Sequence, residues 1–409
     1  MIGCTVTFDA QTIRPSFPAL ATGTAFFDGP GGTQTPLAVG SAIASTLTGP
    51  LSIRGTGSTS QQNAEDAVTG FRSAMADLLG AEERGIVYGR SATQLTYDLA
   101  NALSAGWGPG DEVVVTRLDH DANIRPWMQA ADRAGATVRW ADFDPATGEL
   151  SVPDIAAVLS ERTRLVAVTA ASNLIGTRPP VAAIARLAHS VDALLYVDGV
   201  HYTPHASVDV AALGADFFVC SAYKFFGPHC GILASAPALL ETIYPDKLVP
   251  SSDQVPERFE LGTLPYETMA GVTAAVEFLA GLGDSAPAGA SRRERLIRSS
   301  QALEHHEETL RGELEAGLAE LPGARLHSRA AVRTPTVLVT FAGHDTADAS
   351  RHLCKQGILA PAGSFYALEA SRHLGLGDRG GLRIGLAPYN TVDEVARLLA
   401  ALSVFLRVT

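Results

Sequence analysis

A lysine at position 224 closes the apolar run Asp216-Phe-Phe-Val-Cys220-Ser-Ala-Tyr and is followed by Phe-Phe-Gly-Pro228. Neighbours of this kind do not solvate a charge. Burial and nearby cations lower a lysine's pKa and leave a free amine that can attack an aldehyde. Upstream, Tyr196-Val-Asp-Gly-Val-His201 reads as an apolar strand that delivers a carboxylate, Asp198, and an imidazole, His201, into a turn. An acid at the C-terminal end of a strand sits where open α/β sheets place their ligands.

Three more segments carry groups of matching use. His120, in Leu118-Asp-His-Asp-Ala-Asn-Ile-Arg-Pro-Trp127, follows an apolar strand and can lie face-on to an aromatic ring. Arg90-Ser-Ala-Thr-Gln94 opens a helical pattern through Tyr97, Leu99 and Leu103, and a helix N-terminus with hydroxyls is an anion site. Ser221 adds a hydroxyl three residues before Lys224, and Arg383, in the strand Leu382 to Leu386, can take a carboxylate in two-point fashion. Taken singly, each has a plainer reading: Asp198 capping a turn, His120 starting a helix capped by Asp119 or Asp121, His201 structural, Arg383 in an ion pair. Jointly they supply what pyridoxal 5'-phosphate needs: an amine for its aldehyde, an acid at the ring nitrogen, a donor to the phenolic oxygen, a stacking group and a phosphate cradle. Other ligand patterns are weaker. Gly375-Leu-Gly-Asp-Arg-Gly380 and Gly55-Thr-Gly57 do not join a strand to a helix as a dinucleotide fingerprint does, and His201, His205, His229 and Cys230 lack metal-ligand spacing.

The elements that must position these groups alternate. Ala64, Ala67, Val68, Phe71, Met75, Leu78 and Leu79 recur at helical spacing up to Gly80. Glu112 to Thr116, Thr137 to Trp140, Leu165 to Thr169 and Ala193 to Val197 read as strands, with a helix from Pro180 to His189. Short, unalternating apolar strands between helices predict a mostly parallel sheet covered on both faces. Ala286-Pro-Ala-Gly-Ala290 reads as a hinge. Beyond it come a charged helix from Arg292 to Leu321, strands at Thr336 to Phe341 and Leu382 to Leu386, and a last helix from Val392 to Leu406 with Thr391 and Glu394 as its capping box.

Bulk composition bounds the classes. With 409 residues, 46% of them hydrophobic and 18% charged, the chain can fill more than one core. Its 31 basic against 43 acidic residues give −12, which speaks against nucleic-acid or anionic-membrane partners. No apolar run reaches the roughly 20 residues of a membrane helix, and the first residues lack a signal pattern. Four scattered cysteines (Cys4, Cys220, Cys230, Cys354) suggest no disulfide framework. A cytoplasmic enzyme with a small-molecule substrate is expected.

The chain resembles the class V aminotransferase family, in its cysteine desulfurase and selenocysteine lyase branch, along almost its whole length. Phe26-Phe-Asp-Gly-Pro-Gly-Gly-Thr-Gln-Thr-Pro36 is similar to the family's opening strand and turn, and Arg90-Ser-Ala-Thr-Gln94 to its phosphate cup. The resemblance implies that the backbone at Ala92 and the hydroxyl of Thr93 meet the phosphate. It likewise implies that His120 stacks on the ring and that Asn173, in Ser172-Asn-Leu-Ile-Gly176, lies near the phenolic oxygen and substrate. His201 stands for a usual glutamine, Tyr223 for a common histidine, and Glu260-Leu-Gly-Thr263 would bring Thr263 to the partner subunit's phosphate. Gly381-Leu-Arg383 matches the carboxylate-binding arginine. Implied are an α/β chain of fold type I, a homodimer with shared active sites, a large domain at 25–285, and a small domain from 1–24 and 286–409.

One departure bears on the reaction. Desulfurases of this branch carry a sulfur-accepting cysteine on the loop before the arginine strand, and here that loop is Ala360-Pro-Ala-Gly-Ser-Phe-Tyr366. By the Gly363 register Tyr366 takes the cysteine's place, and without a loop thiolate sulfur transfer lacks its nucleophile. The expected reaction is therefore β-elimination from an L-α-amino acid, with Tyr366 or Tyr223 as acid toward the leaving group. Transamination, epimerisation and decarboxylation with C–C bond formation are alternatives from the same carbanion. A desulfurase using another thiol, and a non-catalytic interaction protein of the same fold, stand further off.

Overall fold

The computed structural model describes residues 8–283 and 287–408; Cys4 and Ala286, the first residue of the expected hinge, lie outside them. A short strand β1 (Ala25–Phe26) precedes the helix Thr59–Leu79, which Ser58 caps by accepting the N–H of Gln61 and which Gly80 ends at φ 61°. The central sheet has seven strands: β2 (Ile86–Gly89), β3 (Glu112–Thr116), β4 (Thr137–Ala141), β5 (Thr163–Thr169), β6 (Leu194–Asp198), β7 (Phe217–Ser221) and β8 (Gly231–Ser235). Their order is β2-β8-β7-β6-β5-β3-β4. Strand β8 runs antiparallel to both its neighbours, while the remaining pairings are parallel.

Alternation along these strands divides the interior. Val114, Val166, Val197 and Phe218 face one core, shared with the helices Thr59–Leu79 and Tyr266–Ala280. Val113, Leu165, Tyr196 and Phe217 face the other, under the helices Ala92–Ser104 and Arg125–Ala134. Both faces are covered, which is why the strand sequences show no polar alternation. Every strand but β8 points the same way, so the loops leaving β2, β3, β5, β6 and β7 gather at one edge.

The C-terminal part adds β9 (Ala324–Leu326), β10 (Thr336–Phe341), β11 (Ile358–Leu359), β12 (Ala362–Gly363) and β13 (Gly381–Gly385), with an antiparallel sheet in the order β12-β13-β10-β9. The helix Arg292–Ala319 starts at a Ser291/Glu294 capping box, and the last helix, Val392–Val408, at Thr391 and Glu394. A third core joins Leu314 and Leu318 to Leu398 and Leu402, together with Ala25 and Phe27 from the start of the chain. Strand β1 pairs in parallel with β11, and the N–H of Gly385 donates to the carbonyl of Phe27 at 2.9 Å. A Cβ at Gly385 would lie 2.1 Å from the Pro30 ring, so only glycine lets the turn after β1 rest against β13.

Candidate active site

A cavity of about 820 Å³ opens at the C-terminal edge of the large sheet and is bounded on its far side by the loop before β13. Lys224, Asp198, His120, Tyr223 and Tyr366 all line it, as do Ala92, Thr93, Asn173, His201, Ser221 and Arg383. Eleven of the twelve residues singled out in the sequence thus meet in one place. The twelfth, Thr263, is exposed and outside the lining, as a residue assigned to the partner subunit's site would be.

Lys224 ends the single turn Ala222–Lys224 after β7 and is 8% exposed. Its amine donates to the carbonyl of Pro30 and lies 4.9 Å from the centre of the Tyr223 ring. Burial, and secondly the positive Arg383, bring its pKa down to about 7, partly opposed by Asp28 and Asp198. A free amine is therefore well populated near neutral pH. Asp198, the last residue of β6, is pushed up to about 6 by burial, against the N–H of Val200 (2.9 Å to Oδ1) and the charge of Lys224.

His120 corrects its simpler reading. Neither Asp119 nor Asp121 caps the turn Asp121–Asn123; His120 itself does, with Nδ1 accepting the N–H of Ala122 at 3.0 Å. That bond places the ring proton on Nε2, and burial with Lys224 and Arg383 nearby lowers its pKa to about 4. A neutral, fixed ring is suited to stacking. Beneath it, buried Asp119 accepts from Asn123 Nδ2 at 2.6 Å and bonds Thr116, while Asn123 accepts from Trp127 Nε1 at 3.0 Å.

Burial raises the Asp119 pKa to about 8, so the folded protein holds a proton that the unfolded chain releases near pH 4. Folded-state pKa above unfolded means that stability falls as pH rises through that window, by up to about 1.4 kcal/mol per pH unit. Asp119→Asn mimics the protonated acid. We predict that, relative to the native protein, the melting temperature of the variant rises progressively as pH increases from 5 to 8; parallel curves would refute the assignment.

Besides Asp121 Oδ1, which pairs with Arg125, three buried polar atoms of cavity-lining residues have no hydrogen-bond partner among the described residues: His201 Nδ1, Asn173 Oδ1 and Arg383 Nε. His201 is held through Nε2 by Thr336 (2.9 Å) and Thr334 (3.0 Å), and burial, then His205, keeps its pKa well below the ordinary value. Asn173 donates to the carbonyl of Phe365 at 2.9 Å. Arg383 is 2% exposed, donates to the carbonyl of Asn173 (3.1 Å) and to Asp28 Oδ1 (2.9 Å), and lies over the Phe365 ring at 3.6 Å. Unsatisfied buried groups of this kind are costly and mark where a ligand completes the structure.

Ser91 caps the helix Ala92–Ser104 by accepting the N–H of Gln94 at 3.1 Å, leaving the first-turn N–H groups and the Thr93 hydroxyl toward the cavity. Anion cradle, amine, acid and neutral stacking ring are thus present together, and the donor set fits pyridoxal phosphate. At the mouth, Phe365 and Tyr366 both adopt left-handed backbone, φ 52° and 59°. The carbonyl of Tyr366 accepts from Asp121 N–H at 2.7 Å, and its ring stacks on His120 at 5.4 Å and 29°. Tyr223 in turn stacks on His229 at 4.9 Å and 15°.

Of the cysteines among the described residues, Cys220 and Cys230 are buried and Cys354 is exposed on the helix Thr346–Lys355; none lines the cavity. Sequence reasoning missed Asp28, Pro30 and Phe365. Phe26-Phe-Asp-Gly-Pro was read only as a strand and turn, and no local pattern says that it meets Arg383.

The model of the family Aminotransferase class-V matches residues 25–398. An uncharacterised protein of Mycobacterium tuberculosis is 34% identical over 97% of this chain and 99% of its own length. A cysteine desulfurase of Klebsiella pneumoniae is 30% identical over 97% of this chain and 98% of its own. The crystal structure of the cysteine desulfurase CsdA from Escherichia coli superposes with a TM-score of 0.87 at 27% identity, covering 98% of this chain and 99% of that one. The chain belongs to the class V aminotransferases, in their cysteine-desulfurase-like branch, and is a pyridoxal-phosphate-dependent enzyme of fold type I.

Proposed function

We propose that this enzyme acts on an L-α-amino acid and removes a sulfur-bearing side chain by β-elimination. Bound pyridoxal phosphate supplies an aldehyde for the amino group and an electron-withdrawing ring that stabilises negative charge at the α-carbon. The protein's part is positional. Lys224 takes the α-proton, Asp198 keeps a negative charge by the ring nitrogen, and His120 covers the ring face. Ala92, Thr93 and Ser221 hold the phosphate, His201 lies by the phenolic oxygen with Nδ1 as its free nitrogen, and Asn173 lies near the phenolic oxygen and substrate. Arg383 takes the substrate carboxylate. As the Cβ–S bond breaks, the sulfur leaves with the electron pair and takes a proton from the Tyr366 or Tyr223 hydroxyl. For cysteine the balanced outcome is cysteine plus water giving pyruvate, ammonia and sulfide.

The observation that carries this reading is the cavity mouth. A phenol, Tyr366, stands beside His120 on the loop where the desulfurase pattern has its thiol, and the lining holds no cysteine. An amino-acid panel assayed for sulfide, pyruvate, carbon dioxide and α-deuterium exchange tests it. Equal sulfide and pyruvate from L-cysteine is the expected result; alanine with persulfide on Cys354 or Cys230 would sink it. Tyr366→Phe should lower kcat about 10²-fold if this hydroxyl is the acid, and an unchanged kcat assigns the role to Tyr223.

Two organisational proposals accompany the reading. The large domain is taken as 25–285 and the small one as 1–24 with 286–409. The working unit is taken as a homodimer in the cytoplasm, supported by the exposed Leu37, Leu47, Ile53, Leu248, Val249 and Leu261. Leu261 lies two residues from Thr263, so pairing at Leu261 would carry Thr263 to the partner subunit's phosphate. No described helix is long and apolar enough to cross a membrane.

A further inference from the structure

Arg383 is almost wholly buried, and in the free protein its counter-charge is Asp28, 2.9 Å from Nη2. Asp28 is not alone in aiming the guanidinium. The carbonyl of Asn173 holds Nη1, the Phe365 ring lies against its face, and β13 fixes its stem, while Nε stays buried and unpartnered. The Asp28 side chain is 43% exposed and belongs to the cavity lining. Among the described residues only its Oδ1 is engaged by a hydrogen bond. The turn around it is shaped to leave room: a Cβ at Gly31 would lie 2.5 Å from Oδ2 and 2.6 Å from Oδ1.

A cation and an anion therefore stand side by side in the cavity lining, the cation buried and the anion partly open to it. Building on the amino-acid reading above, we propose that Asp28 is a specificity-determining residue that forms, with Arg383, a two-point site for a zwitterion. The substrate carboxylate replaces Asp28 at Arg383 Nη2, and the substrate ammonium takes the released Asp28 carboxylate. Exchange of one carboxylate for another at Arg383 leaves the buried charge balanced throughout. A carboxylate without an amine brings a second negative charge beside Asp28 with nothing to offset it, and is rejected. Discrimination here is repulsive as well as attractive.

Two isosteric probes that cannot bond to the cofactor isolate this effect: N,N-dimethylglycine, a zwitterion, and isovalerate, its uncharged-side analogue. Calorimetric titration of the holoenzyme should show the zwitterion binding more tightly. Asp28→Asn should narrow the ratio of the two dissociation constants about tenfold or more, chiefly by tightening isovalerate, since a hydrogen bond to a charged group is being lost on one arm and a repulsion on the other. Arg383→Lys should weaken both probes and leave the ratio unchanged. Asp28→Ser serves if the asparagine variant does not fold. Absence of any zwitterion preference in the native holoenzyme overturns the inference without recourse to variants. An unchanged ratio in Asp28→Asn also overturns it, making Asp28 only a prop for Arg383. Because no probe is turned over, failure here is distinct from failure of the elimination assay.

Discussion

Lys224→Ala should still fold and bind pyridoxal phosphate, yet lose the covalent link to it and lose activity by about 10³-fold or more. The expectation rests on what surrounds the residue. Its amine is held by the carbonyl of Pro30 at the end of β7, with a pKa brought down to about 7. No other lining residue can replace it: His120 is neutral and tied to the N–H of Ala122, and the Arg383 guanidinium is no amine. Native holoprotein should be yellow and should incorporate the cofactor irreversibly on borohydride treatment, while the variant should release it. The fold has little to lose. A lysine whose folded pKa lies below its unfolded value binds fewer protons when folded, so its contribution to stability rises with pH between about 7 and 10.5 and is unfavourable below. Cofactor-free Lys224→Ala should accordingly melt no lower than the native apoprotein at pH 7. A native protein that is colourless and ignores added pyridoxal phosphate would overturn the whole assignment.

Asp198→Asn is expected to separate cofactor attachment from catalysis. The asparagine keeps the size of the side chain and an oxygen for the Val200 N–H. It cannot carry the negative charge proposed above to keep the ring nitrogen protonated. Lys224 is unaffected by geometry, so the yellow band and stoichiometric cofactor should remain, while kcat falls by about 10²- to 10⁴-fold. Asp198→Glu is no equivalent, because β6 ends there and the extra methylene drives the carboxylate into the ring site. A kcat within a few-fold of native in the asparagine variant would show that Asp198 merely terminates its strand.

The large sheet and its edge were legible because each signal was local. Strands such as Glu112 to Thr116 and Leu165 to Thr169 are short apolar runs, and each is followed within a few residues by a group with chemistry. Once those strands run in one direction, Asp198, Lys224, His120, Asn173 and Thr93 must share an edge. What was illegible is what depends on distant segments meeting. Asp28 and Arg383 touch only because β1 pairs with β11 and Gly385 admits the turn at Pro30. Phe365 lies against the Arg383 guanidinium, a contact between a loop and a strand that no periodicity encodes. The cap at His120 was misassigned to the neighbouring aspartates because Asp is the commoner cap, whereas Asp119 is drawn inward by Thr116 and Asn123. Thr263 is exposed and outside the cavity lining, so a single chain's sequence and structure place it only by resemblance.

Phe365 and Tyr366 hold left-handed backbone, where non-glycine residues cost about 1–3 kcal/mol each, and both of their carbonyls are anchored, one by Asn173 and the other by Asp121. A sulfur courier has to swing out to meet another protein. This segment is pinned at two successive peptide units, so a thiol installed at position 366 would react where it stands and have no travel. Sulfur delivery from position 366 would require unfastening the segment as well as placing a thiol there.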